Sequence, residues 1–116
     1  MASDRFVHFH IERPSKGDLL KIVTNYLGGC GVIRSEPDRI FIDLPGSATS
    51  PFKGIPNARV LPFEMTDRWI EVIYQKTDGV WSVDVLTRQQ DEFTCAIADQ
   101  LARALSRFYQ GELDME

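Results

Sequence analysis

Two histidines and a glutamate alternate near the amino terminus of this chain. His8, His10 and Glu12 form an H-x-H-x-E pattern, which places all three side chains on one side of a β-strand. Alternate strand residues lie about 7 Å apart, so two imidazoles can approach one metal ion. A zinc or iron site would need further ligands from neighbouring strands, namely Asp43, Glu71 or Asp84. We expect surface histidines here, with His8 and His10 as weak metal candidates only, and no cofactor.

A pair of carboxylates offers a second kind of chemistry. Glu71 and Asp84 lie opposite or diagonal to each other across a predicted hairpin, where like charges repel unless a cation sits between them. Paired carboxylates can perform acid–base or glycosidic chemistry. An arginine or lysine that bridges the pair is the commoner arrangement, and Arg34, Arg39, Arg59 and Arg68 are available for it. We therefore assign no catalytic residue.

The remaining reactive residue types form no recognisable motif. The glycine-rich segment 28–31 follows a predicted helix instead of opening one, so carbonyl oxygens and the negative end of the helix dipole would face a phosphate. Cys30 and Cys95 lie far apart without metal or redox spacing. No phosphate-loop, dinucleotide-binding, nucleophile-elbow or zinc-protease pattern occurs. The sequence names no specific reaction.

The element that must position the carboxylates is the hairpin predicted for residues 68–87. Asp78-Gly79 suits a tight turn because both residues tolerate a positive φ. With a loop of two or four residues, the apolar positions of both strands point to one side. A loop of three residues would shift the register by one and point the apolar side chains of one strand into water. The other side of the hairpin then carries Trp69, Glu71, Ile73, Ser82, Asp84 and Leu86.

The patterns elsewhere predict one α+β domain over residues 1–116, in the order β-α-β-β-(β)-β-β-α. Each of the two predicted helices carries a single apolar stripe, so we expect both on one face of a mostly antiparallel sheet of five to six strands. The first helix should begin at a Ser15 cap and end at Gly28, and the second should end at Gly111. We expect a long loop at 45–58, a short edge strand from Arg59 to about Phe63, and a frayed tail at 112–116.

Composition and charge narrow the class of partner. The hydrophobic fraction of 43% and the charged fraction of 26% are ordinary for a folded protein. The net charge is −4, and no run of basic residues occurs, which disfavours nucleic acid and anionic lipid as partners. No apolar segment is long enough for a membrane helix, and no leader pattern opens the chain. We expect a cytoplasmic protein whose partner is basic or neutral.

The sheet face that the helices leave open is the most promising functional surface. Aromatic and aliphatic residues among carboxylates and imidazoles are typical of a contact surface. We predict a non-enzymatic protein–protein interaction domain, of the inhibitor or immunity type, that binds a basic protein or its own copy. The predicted contact residues are Trp69, Ile73, Phe41, Glu71, Asp84 and Asp43.

Three alternatives remain open at this stage. One is a homodimer whose sheets pack together and bury the aromatic residues for stability alone. The loop at 45–58 would make the same face a second small core if it folded over it. The chain would instead be a small-molecule or metal-dependent catalytic domain if His8, His10, Glu71 and Asp84 formed a site with that loop as a lid.

Overall fold

A computed structural model describes residues 3–9, 15–29, 31–44, 68–87 and 92–115 of the 116-residue chain. His10, the expected loop at 45–58 and the expected strand at 59–63 lie outside these ranges. The fold is α+β, as predicted. Its elements are β1 (Ser3–Phe9), α1 (Lys16–Leu27), β2 (Val32–Ser35), β3 (Arg39–Leu44), β4 (Arg68–Thr77), β5 (Val80–Thr87), α2 (Glu92–Tyr109) and β6 (Glu112–Met115).

The six described strands form one antiparallel sheet in the order β2-β3-β4-β5-β1-β6. Alternate strand residues such as Val7, Ile42 and Val72 join the apolar stripes of α1 and α2 in a single core. Both helices therefore cover the same face of the sheet, which confirms the predicted packing. Neither described helix is long and apolar enough to cross a membrane.

The β4–β5 hairpin has the two-residue loop that the alternation favoured. Thr77 pairs with Val80, and Asp78 and Gly79 adopt φ values of 52° and 80°. Both central residues of the turn thus lie in the left-handed region, where glycine and aspartate are tolerated. The resulting register opposes Tyr74 to Val83, so the apolar positions of the two strands share the helix-covered face.

Both ends of α1 agree with the sequence. The Ser15 hydroxyl oxygen accepts a 3.3 Å hydrogen bond from the backbone N–H of Asp18, as expected of a cap. Gly28 ends α1 as predicted, but its backbone angles are right-handed and not the left-handed ones that usually favour glycine at this position. At the end of α2 the left-handed residue is Gln110, with a φ of 52°. A Cβ at Gly111 would lie 2.5 Å from the His8 carbonyl oxygen, so glycine is needed there for close approach to β1.

The expectation of a frayed tail at 112–116 is corrected by strand β6. Residues Glu112–Met115 pair with β1, with Leu113 opposite Val7 and Asp114 opposite Phe6. Leu113 is half-buried and packs against the core, while Glu112 and Asp114 are exposed. The half-buried Leu113 side chain and a ladder of backbone hydrogen bonds therefore hold this segment against β1.

The helix-covered side of the sheet also holds polar side chains, of which Arg5 and Tyr109 make contacts between a strand and α2. Arg5 on β1 is buried, and its Nε donates a hydrogen bond to Oδ1 of Asp99 on α2. A second guanidinium nitrogen of Arg5 donates to the Cys95 carbonyl oxygen at 3.4 Å. Tyr109 is 8% exposed, and its ring stacks on Phe9 with 4.4 Å between the centroids.

Candidate functional site

We call the sheet face opposite the helices the open face. Strand alternation and the pairing register place its side chains on the side away from the core. The described residues of the open face are Phe6, His8, Val32, Arg34, Arg39, Phe41, Asp43, Trp69, Glu71, Ile73, Gln75, Ser82, Asp84, Leu86, Glu112 and Asp114.

The register brings the six predicted contact residues together on three adjacent strands. Phe41 on β3 lies opposite Glu71 on β4, and Asp43 lies opposite Trp69. Ile73 on β4 lies opposite Asp84 on β5. Trp69, Ile73 and Phe41 are half-buried, and none of them belongs to the helix-covered core. The predicted residues thus form one continuous patch at the middle of the open face.

Two carboxylates are buried at the centre of that patch. Glu71 is 6% exposed and Asp84 is 7% exposed, and the register makes them diagonal neighbours across β4 and β5. Arg39 Nη1 donates to Glu71 Oε2 at 3.5 Å, and Gln75 Nε2 donates to Asp84 Oδ2 at 3.0 Å. Each carboxylate therefore accepts a hydrogen bond from a side chain on the same face, which offsets part of the desolvation cost of burying an anion.

Arginines concentrate at the β2–β3 end of the open face. Arg34 Nε donates to Asp43 Oδ2 at 3.1 Å. The guanidinium carbons of Arg34 and Arg39 lie 5.0 and 5.9 Å from the centroid of the Phe41 ring. Both distances are within the range of cation–π attraction. Arg39 also bonds Asp38 at 3.0 Å, and this hydrogen bond lowers the pKa of Asp38.

The opposite end of the open face is acidic. Glu112 and Asp114 of β6 are exposed and lie beside His8 and Phe6 of β1, whose rings stack with 6.2 Å between centroids. Composition alone does not reveal this arrangement, because the tail reads as a frayed end. The sequence feature that indicates a strand here is the alternation of polar Glu112, apolar Leu113 and polar Asp114 just after the end of the second helix.

The metal-site hypothesis stays a prediction. His8 lies on the open face as the period-two pattern indicates, but His10 and Glu12 lie outside the described residues. Within the ranges that the structure describes, no three histidine, cysteine or carboxylate side chains are grouped for a metal ion. Metal analysis of the purified protein would test the catalytic alternative directly.

A second exposed apolar area lies on the helix side. A cleft of about 310 Å³ separates α1 from α2, and its lining includes Tyr26 and Phe108. Both residues follow the helical spacing that predicted a buried stripe, yet Phe108 is 55% exposed. Charged and amide side chains complete the cleft, namely Asp18, Lys21 and Asn25. It is a shallow mixed groove between two helices.

No protein-family model, curated protein or solved structure matches this chain. The geometry and charge of the open face are therefore the features that indicate a function.

Proposed function

We propose that this domain binds another protein through the open face and that the partner's contacting surface is basic. One observation carries the proposal. Half-buried Trp69, Ile73 and Phe41 surround the buried carboxylates Glu71 and Asp84 on a sheet face that neither described helix covers.

The apolar residues of this patch suit the anchors of an interface. Protein interfaces have a core of aromatic and aliphatic side chains with a polar rim, and a few central anchors supply most of the affinity. Trp69 and Ile73 retain exposed surface in the protomer, so a partner can desolvate them further. Binding would then gain free energy from the apolar area that remains in contact with water.

The charges of the open face favour a basic partner. Its described side chains include five carboxylates and two arginines, and the chain as a whole carries a net charge of −4. Complementary charge raises the association rate and excludes partners of the wrong sign. An inhibitor or immunity-type protein that occludes a basic toxin or nuclease fits this chemistry, with Asp43, Glu71 and Asp84 steering the partner.

A comparison of two single variants tests the proposal. Ile73→Ala removes an anchor from the open face, and Phe108→Ala removes an exposed apolar side chain from the opposite side of the domain. Each tagged protein is used to isolate partners from the source cells, and any retained protein is then purified and titrated by calorimetry. Circular dichroism is used to check that both variants are folded.

We expect Ile73→Ala to weaken binding by about 1 to 2 kcal/mol, or roughly ten-fold, because central anchors carry most interface energy. Phe108→Ala should bind as the wild type does. Affinity should fall as salt is raised, because the partner is steered by charge. Equal affinity for Ile73→Ala, Trp69→Ala and the wild type would contradict the proposal.

A further inference from the structure

We infer that the groove between α1 and α2 binds an acidic, amphipathic segment of another protein and takes one apolar side chain of that segment into its cleft. The groove lies on the helix-covered side of the sheet, opposite the open face, so the inference does not depend on the proposed function. It adds a second binding surface, whose partner has the opposite charge to the partner of the open face.

Two aromatic side chains that remain in contact with water line this groove. Phe108 of α2 is 55% exposed and Tyr26 of α1 is 37% exposed, and both border the cleft of about 310 Å³. Among the described residues, Val32 on β2 is the other large apolar side chain that is exposed. Exposed apolar side chains that lie together mark interaction sites, whereas scattered ones need no explanation.

The Phe108 ring is supported from below although it is exposed. It makes an edge-to-face contact with the Tyr109 ring, with 4.9 Å between the centroids, and Tyr109 in turn stacks on Phe9 of β1. Buried Ile22 and Ala104 complete the apolar lining of the cleft. A site whose side chains are already held in place loses little conformational entropy on binding, which favours affinity.

Cations without ion pairs surround the groove. Lys21 lines it from α1, and Arg103 and Arg107 are exposed on α2, each one residue before a residue that lines the cleft. Within the part of the chain that the structure describes, none of these three side chains forms an ion pair, unlike the arginines of the open face. With Asp18 as the carboxylate in the lining, this surface is positive in a chain whose net charge is −4.

These features together select the partner. An acidic amphipathic helix can place carboxylates opposite the cations while it buries an apolar side chain between Tyr26 and Phe108. Arg103 and Arg107 lie one helical turn apart, or about 5.4 Å, which matches carboxylates at positions i and i+4 of a partner helix. A nucleic acid suits the groove less well, because the net charge of the chain repels a polyanion and the lining of the cleft is largely apolar.

Synthetic peptides test the inference without identifying the natural partner. The first is a helical peptide of about 15 residues that has a leucine and tryptophan face flanked by glutamates. The second carries lysines in place of the glutamates, and the third carries alanine in place of the tryptophan. Fluorescence anisotropy of labelled peptides, titrated with the intact domain at about 50 and 300 mM salt, gives the dissociation constants.

Four variants locate the binding surface. Arg107→Glu reverses a charge beside the groove, Phe108→Ala removes an aromatic side chain from it, and Asp18→Asn removes its carboxylate. Arg34→Glu on exposed β2 makes the same change of charge as Arg107→Glu, but on the open face, and is its matched control. The fold of every variant is checked by circular dichroism.

We expect the acidic peptide to bind at least ten-fold more tightly than the other two peptides, with an affinity that falls as salt is raised. Arg107→Glu and Phe108→Ala should each weaken its binding at least five-fold. Asp18→Asn should strengthen it about two-fold, because a repelling charge is removed, and Arg34→Glu should change it less than two-fold.

Three results would overturn the inference: equal binding of the acidic and lysine peptides, wild-type binding by both Arg107→Glu and Phe108→Ala, or equally strong competition by a single-stranded oligonucleotide of the same net charge. Ile73→Ala separates the groove from the proposed function, because this variant should lose the basic partner of the open face and keep the acidic peptide. Failure of either interaction therefore leaves the other one standing.

Discussion

Replacing Tyr109 by Phe should stabilise the protein. The Tyr109 ring is buried in the last turn of α2 and stacks on Phe9, and its hydroxyl has no hydrogen-bond partner among the described residues. A buried hydroxyl without a partner costs about 1 to 3 kcal/mol of desolvation. Tyr109→Phe keeps the stacked ring and removes only the oxygen. We expect the free energy of unfolding at pH 7 to rise by about 1 kcal/mol.

The same hydroxyl predicts a dependence on alkaline pH. Burial, with a smaller contribution from the charge of Asp18, raises the pKa of Tyr109 from 10.0 to about 12. Between these two values the unfolded chain releases the proton while the folded chain keeps it. The stability contributed by neutral Tyr109 is therefore complete below pH 10 and is lost as the pH rises toward 12. Two units correspond to about 3 kcal/mol at most.

Urea denaturation followed by circular dichroism measures both effects. The wild type and Tyr109→Phe are compared at pH 7, 9, 10 and 11. We expect the advantage of Tyr109→Phe to widen above pH 10. A variant that is less stable than the wild type at pH 7 and loses stability in parallel with it would refute the reasoning, because the hydroxyl would then have a partner.

Two further substitutions test how the sheet edge and α2 are held. Asp99→Ala should lower the free energy of unfolding by about 1 to 3 kcal/mol, because it removes the carboxylate that the buried Arg5 guanidinium contacts. Adding Arg5→Met to this variant should recover part of the loss, as measured by urea denaturation. The effect is below that of a fully buried pair because the Asp99 side chain is 40% exposed. Gly111→Ala should detach β6 from β1, since its Cβ would lie 2.5 Å from the His8 carbonyl oxygen, and the β6 amides should lose protection in hydrogen exchange. Gly29→Ala is the matched control, because a Cβ there meets no atom within 4 Å; an unchanged β6 in Gly111→Ala would contradict the close approach.

The sequence predicts those parts of the fold where several local signals agree. In the β4–β5 hairpin, Asp78-Gly79 supplies the turn while alternation on both sides supplies the register, so one short segment determines which residues share a face. The placement of Trp69, Ile73 and Asp84 on the open face follows from that register alone.

The parts that sequence reasoning missed depend on contacts between distant segments. Nothing local indicates that residues 112–115 pair with β1, because four residues that alternate polar and apolar gain strand structure only from an existing edge. Helical spacing predicted burial of Tyr26 and Phe108, but the space between α1 and α2 leaves both exposed. Gln110 takes the left-handed position because Gly111 is needed one residue later, for the contact with His8.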